Sequence, residues 1–398
     1  MTFPRPGVGA TLSSPCHSGR WKGVWLLLPL LLYLGVFYFV PLIQVLLQSL
    51  FDPEFTLEHY RVLVTYPVYG KILFNTIKIS FLVSLACVVI GYPMAWAIVF
   101  SRPGLGLGLL TIVMVPFWVS VLVRTYSWMI ILGRYGVINK LLMATGLTTA
   151  PLELMYNRTG VYIGMIYIML PYAILPMQNA MHSIDRDVLK ASASLGATFL
   201  QTFRQIILPL SLTGVATGFV LVFIISAGIF ITPSLMGSPS DTMIAMSINA
   251  QLEMVNNWGF AGALSMVLLL TVCLLIFLFF KLFGSAALTG SDKGETRFHS
   301  KQKKEFFLFG YDFYEITRQT AWAVETFIFY IYEQASRILP KDVLPKNLGK
   351  IGLIGVCALI SLFLILPVFI ILPIGFSNDF VIGFPPKSLG LGLFHSCL

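Results

Sequence analysis

Residues 183–210 form the stretch of this chain whose side-chain types and spacing suggest work beyond packing. Asp185 or Asp187 can cap a short helix whose apolar positions include Val188, Leu189, Ala191 and Leu195. Gly196 can take the left-handed geometry that ends a helix. Thr198 can then cap a second helix carrying Phe199, Phe203, Ile206 and Ile207, with Pro209 marking its far end. Ala191, Ser192, Ala193 and Ser194 are small enough to allow close approach, so the unit is shaped to insert into a groove on a partner. A solvated loop with a chance glycine and proline is the plain alternative.

A second group centres on a charge in apolar surroundings. Arg124 lies within the apolar run 107–131, beside Tyr126 and Trp128. A guanidinium in a bilayer is costly unless it is paired or faces water, which fits a pore. The same residue can instead snorkel to an interface, where Tyr and Trp are common. Both readings stay open. In a later run, 212–234, Ser226, Phe230 and Thr232 join these three as candidate pore or substrate contacts. Gly214 and Gly218 form a G-x-x-x-G suited to close helix packing, and Asn75 and Thr76 read as a helix start.

Covalent and metal chemistry have no support. There is no G-x-x-x-x-G-K-[ST] phosphate loop, so this chain is not expected to hydrolyse ATP. Its five cysteines and five histidines share no ligand spacing, and no cofactor is implied.

The elements that must position these residues are membrane helices. Of the 398 residues, 57% are hydrophobic and 11% charged, and the mean hydropathy is +0.85. An ordinary soluble domain carries roughly 25% charged residues. Apolar runs near 24–48, 75–100, 107–131, 161–181, 212–234, 260–283 and 352–376 are each long enough to cross a hydrocarbon core. The first follows Arg5, Arg20 and Lys22 but is too long for a signal-peptide core and lacks a cleavage site, so it reads as a retained anchor. None of the 17 acidic residues falls inside a run, which argues against an ion-coupled carrier. A cytoplasmic N-terminus puts most of the 26 basic residues in cytoplasmic segments, the largest share at 281–350. The net charge of +9 then reflects loop topology rather than a nucleic-acid partner.

Gly196, nine residues, and Ile206-Ile207-Leu208-Pro209 resemble the conserved cytoplasmic loop of binding-protein-dependent ABC importer permeases. Ala191 fits that loop's opening, whereas Lys190 stands where the family usually has Glu and Ser192 where it usually has Ala. Phe55-Thr56-Leu57-Glu58-His59-Tyr60-Arg61, Asn75-Thr76-Ile77, Gly91-Tyr92-Pro93-Met94-Ala95, Val123-Arg124-Thr125-Tyr126-Ser127-Trp128 and Gly228-Ile229-Phe230-Ile231-Thr232-Pro233 look like spermidine/putrescine-type members. The resemblance covers about residues 20–285. It implies an all-α polytopic membrane protein of type I ABC importer permease fold in the bacterial inner membrane. That fold would be a six-span core over 24–284, with a seventh span added here. It also implies a coupling loop at 183–210, with Lys190, Ala191, Ser192, Gly196, Ala197, Phe203, Ile206, Leu208 and Pro209 at the ATPase-docking site. The implied partners are ABC ATPase subunits, a second permease subunit of the same or another kind, a periplasmic solute-binding protein and the lipid bilayer. The aliphatic residue at Ile229 stands where several polyamine-type relatives carry an acid, so the solute is polyamine-type or a related small molecule. A channel or a secondary carrier without an ATPase is the alternative function.

Beyond residue 284 the chain departs from a single permease. Residues 1–23 read as a cytoplasmic tail and 285–350 as a basic linker with an amphipathic interfacial helix near 319–332. Residues 351–398 read as a seventh span and outer tail. Phe384-Pro385-Pro386 resembles the start of a second permease, as if one unit were fused to the truncated beginning of another. Such a span, with Pro367 and Pro373 and no partner helices of its own, is expected to pack loosely.

Overall fold

A computed structural model describes residues 20–51, 54–283 and 348–375. The interfacial helix near 319–332, the rest of the basic linker, most of the N-terminal tail and Phe384-Pro385-Pro386 lie outside them. The described residues are helical apart from connections and an isolated bridge between Phe51 and Phe55.

Helix α1 spans Arg20–Leu50, α2 Glu58–Thr65 and α3 Pro67–Phe100. Then come α4 at Pro103–Met114, a 3-10 turn at Val115–Trp118, α5 at Val121–Leu132 and α6 at Val137–Ala144. Helix α7 covers Arg158–His182, α8 Arg186–Ser194 and α9 Phe199–Thr202, and a π turn at Phe203–Ile207 leads into α10 at Leu208–Gly228. The remaining helices are α11 at Ile231–Met236, α12 at Ile244–Ala250, α13 at Trp258–Phe283 and α14 at Leu348–Gly375. Pro67 and Pro103 stand in first turns, where a missing N–H costs nothing. Asn157 caps α7 by accepting from the Gly160 N–H at 3.0 Å.

Among the described residues six helices are long and apolar enough to cross a membrane, and a bent pair makes a seventh if it is one span. Three expectations change in detail. The run 107–131 is two arms, Pro103–Trp118 and Val121–Ala144, meeting at 102°. Pro116 sits in the 3-10 turn, and Val119 and Ser120 are extended, so the α-helical ladder stops between them. The fifth run ends as a helix at Gly228, and residues 231–236 form a separate short helix. Asn75 and Thr76 are not a helix start but lie inside α3. There the Asn75 amide donates to the Thr242 carbonyl at 3.0 Å and the Thr76 hydroxyl accepts from the Ile244 N–H at 2.8 Å.

The core lies where α3, α7 and α10 pack together, with Ile79, Val83, Cys87, Met165, Ile168, Met177 and Val222 buried in it. Gly214 and Gly218 permit this approach: a Cβ at Gly214 would fall 2.6 Å from that of Ala180, and one at Gly218 would fall 3.0 Å from the Ala173 carbonyl oxygen. Helix α1 is peripheral. It packs on α13, while Leu30, Leu31, Phe37 and Phe39 face outward.

The seventh span does not pack loosely. Helix α14 lies against α3, α4, the 3-10 turn and α5, burying Cys357, Ile360, Leu364 and Ile370. Those positions recur at helical spacing and form one stripe, whereas Leu359, Leu362 and Phe369 face away. The six-span body supplies the neighbours that a lone span was expected to lack.

Candidate functional site

The loop expected to dock a partner forms as a capped helix, a glycine turn and a second helix. Asp185 caps α8, its carboxylate accepting from the Asp187 N–H at 2.9 Å. Gly196 has φ +79°, with Gly196 N–H on the Ala193 carbonyl at 3.0 Å and Ala197 N–H on the Ser192 carbonyl at 3.1 Å. This pair of bonds is the Schellman arrangement. Thr198 and Gln201 then cap each other's backbone: the Thr198 N–H donates to the Gln201 amide oxygen at 2.8 Å.

Pro209 does not end the second helix. Helix α9 runs through the π turn into α10, with the Leu208 N–H bonded to the Phe203 carbonyl five residues back. A proline at 209 cannot donate to the Gln205 carbonyl and crowds it, and the wider π turn relieves both problems without breaking the helical path. The second arm of the loop thus runs directly into the fifth span, which begins at Phe203.

The docking candidates fall into two groups. Lys190, Ala191 and Gly196 are exposed at the tip, with Val188 and Leu195 beside them, and Leu195 is 89% accessible. Lys190 Nζ lies 2.7 Å from Asp187 Oδ1 in an exposed pair one turn apart. Ser192 points inward instead: its hydroxyl donates to the Leu189 carbonyl at 2.8 Å and lies 3.1 Å from that of Thr202. Ala197, Phe203, Ile206, Leu208 and Pro209 are half-buried at the base, where Phe203 meets Tyr92 of α3 edge-on and the Tyr92 hydroxyl lies 2.9 Å from that of Ser211.

The second candidate site gathers at the helix breaks. Arg124 is 4% exposed, and its Nε and Nη1 have no hydrogen-bond acceptor among the described residues. Its electrostatic neighbours are Tyr167 and Tyr172, in the middle stretch of α7, and Phe117 of the 3-10 turn packs on Tyr172 at 4.8 Å. Arg124 is therefore packed inside the chain rather than laid out on its surface. Trp128, at 3% exposure, packs on Tyr167 and on Phe363 of α14 and is likewise interior. Ser226 and Thr232 are fully buried, and the Thr232 hydroxyl lies 3.2 Å from that of Thr125. Tyr126 and Phe230 are more than a third exposed and turn away from this group.

Sequence reasoning missed Thr125, which joins α5 to α11, and an ion pair at the end of the bundle opposite α8. There Arg158 Nε donates to Asp241 Oδ1 at 2.7 Å, and the Ser238 hydroxyl also donates to Asp241. Burial by itself would raise the Asp241 carboxyl, but the Ser238 bonds and the Arg158 guanidinium outweigh it and hold the carboxyl below the usual range. With 82 residues between them, neither partner carried a spacing signal. Among the described residues no cluster of His, Cys, Asp or Glu could hold a metal.

Residues 24–286 match the family model described as binding-protein-dependent transport system inner membrane component. The chain belongs to this family. The permease is 31% identical over 257 residues to the spermidine/putrescine transport system permease protein PotB of Escherichia coli K12, which covers 63% of this chain and 93% of that protein. It is 31% identical over 291 residues to the E. coli inner membrane ABC transporter permease protein YdcU, covering 68% and 92%. A putative 2-aminoethylphosphonate transport system permease protein, PhnU of Salmonella typhimurium, is 27% identical over 251 residues, covering 61% and 86%. A crystal structure of a bacterial alginate ABC transporter, in complex with an alginate pentasaccharide-bound periplasmic protein, matches in fold. Its TM-score is 0.55 at 19% identity, over 68% of this chain and 96% of that one. This permease is thus a multi-pass inner-membrane subunit of an ABC importer with the type I fold. It is not an enzyme, and ATP hydrolysis lies on a separate subunit.

Proposed function

We propose that residues 24–284 form one half of the translocation pore of an ATP-driven, binding-protein-dependent importer, with a second permease subunit as the other half. In this reading the N-terminus and α8 are cytoplasmic, as the basic residues of the tail, loop and linker favour. An ABC ATPase receives the tip of α8, and a solute-binding protein delivers cargo at the opposite face. The cargo is a small solute, polyamine-type or related, like those named for PotB and PhnU. Arg124, Ser226 and Thr232 line or gate its path, because a buried guanidinium whose Nε and Nη1 meet no acceptor among the described residues is tolerated where water or a transported group can reach it.

The observation that carries this reading is the uncovered apolar tip of α8, joined by the Gly196 turn to the helix that runs into a membrane span. Val188 and Leu195 are exposed on a rigidly capped turn, and nothing in the described chain covers them. Leu195→Asp tests it, since so exposed a residue contributes little to the fold. The expected result is a normally inserted permease that no longer retains the ATPase on purification and no longer supports uptake. Retained ATPase with normal uptake would overturn the docking assignment.

A further inference from the structure

The family match ends at residue 286, so α14 is an addition to the unit that the match describes. Its placement is specific. Phe363 packs against Trp128 at 5.0 Å and against Tyr167 at 5.7 Å. The Tyr167 hydroxyl, at a residue with no exposed surface, donates to the Leu364 carbonyl at 3.3 Å. The Cys357 thiol donates to the Pro93 carbonyl at 3.7 Å, beside the proline in α3. Contacts on α4, the 3-10 turn and α5 mean that α14 reaches both sides of the 102° break in the third span.

We infer that α14 is an intramolecular brace for this broken span, whatever its origin in the sequence. A helix break without a continuous backbone ladder is held only by what packs across it. Helix α7 supplies one wall through Tyr167 and Tyr172. Helix α14 supplies the other and touches both arms. Trp128 lies one helical turn beyond Arg124, so the same brace fixes the segment that carries the buried guanidinium. In lipid, a Tyr hydroxyl without an acceptor costs more than one with a neighbour in place. The Tyr167 bond to a backbone carbonyl therefore sets the depth of α14 as well as its face.

The test cuts the tether and asks whether the brace stays. A protease site placed within 285–347 is cleaved in the detergent-solubilised full-length protein. The expected result is co-elution of the C-terminal piece with the body in equal amounts. Ile360→Ala with Phe363→Ala, on the packed face, should release it. Leu359→Ala with Leu362→Ala, on the outward face, should not. A wild-type piece that elutes alone, or equal release by both pairs, overturns the inference. Nitroxide labels at the exposed Leu107 of α4 and Leu141 of α6 then report the bend. Their distance distribution should be narrow in the intact chain and broaden when the packed face is truncated. An unchanged distribution after release would leave α14 a bystander and refute the brace. Neither readout depends on transport.

Discussion

Replacing Gly196 separates two reasons why a glycine would sit at the tip of a docking loop. Its φ of +79° is a region that costs a non-glycine residue about 1–2 kcal/mol. A Cβ built there meets nothing within 4 Å, so the chain itself adds no steric penalty. If the turn must keep its Schellman geometry to present Leu195 and Ala191, that strain is charged against docking, and 1–2 kcal/mol corresponds to roughly 5–30-fold in affinity. Gly196→Ala and Gly196→Val should both weaken ATPase binding within that range. Gly196→Asn should weaken it less, because Asn tolerates the left-handed region. The assay is titration of the solubilised ATPase onto the permease in lipid nanodiscs, with uptake in cells at matched expression. If glycine is needed instead because the ATPase backbone approaches closely, the order inverts, and Ala outperforms the bulkier Asn. Wild-type affinity in Gly196→Val would refute both the strain argument and the placement of this turn at the interface.

Arg124→Met should leave the melting temperature in detergent unchanged or raised, since Nε and Nη1 lose no partner, while uptake affinity or selectivity shifts. Lower stability with unchanged uptake kinetics would make Arg124 a structural residue. The Arg158–Asp241 pair should behave as a clasp between α7 and the turn before α12, and Asp241→Ala should cost about 1–3 kcal/mol by stranding the groups that meet it. Because the folded Asp241 carboxyl is held below its unfolded value near ~4, its contribution is full above that pH and fades as pH falls through the folded value. Thermal melts from pH 7 to pH 3 check this. A loss between pH 7 and 5 that vanishes in Asp241→Asn would show that the carboxyl titrates higher than the structure implies.

Much of the architecture was legible because lipid imposes one strong rule: apolar runs of sufficient length become helices. The loop was legible for a different reason. Asp185, Gly196 and Thr198 act on their own neighbouring backbone, so their roles can be read locally. Proline was the misleading signal. Pro29, Pro41, Pro93, Pro171, Pro176, Pro367 and Pro373 all lie inside unbroken helices, whereas Pro116 accompanies a break and Pro209 a π turn. Whether a freed carbonyl ends a helix depends on what packs there, which no local pattern encodes. The packed stripe of α14 was hidden too, because a helix apolar on every side shows no periodicity until a neighbour selects one face.

These two kinds of legibility meet in the route between the loop and the buried charge. Since the π turn keeps α9 and α10 continuous, a displacement of α8 is passed along the fifth span rather than absorbed at Pro209. That span ends at Gly228, and three residues later α11 begins at Ile231, its second residue Thr232 lying against Thr125, the residue next to Arg124. The interruption in the third span and the one after the fifth thus meet where α11 packs on α5, with the Thr125–Thr232 hydroxyl pair in that contact. A rigid loop joined to an unbroken helix and then to a broken one confines the motion to the break. If α8 docks the ATPase and Arg124 faces the pore, as proposed above, the bend beside Arg124 is where a docking event should change what the pore admits, and uptake selectivity of Arg124→Met measured with and without Leu195→Asp checks it.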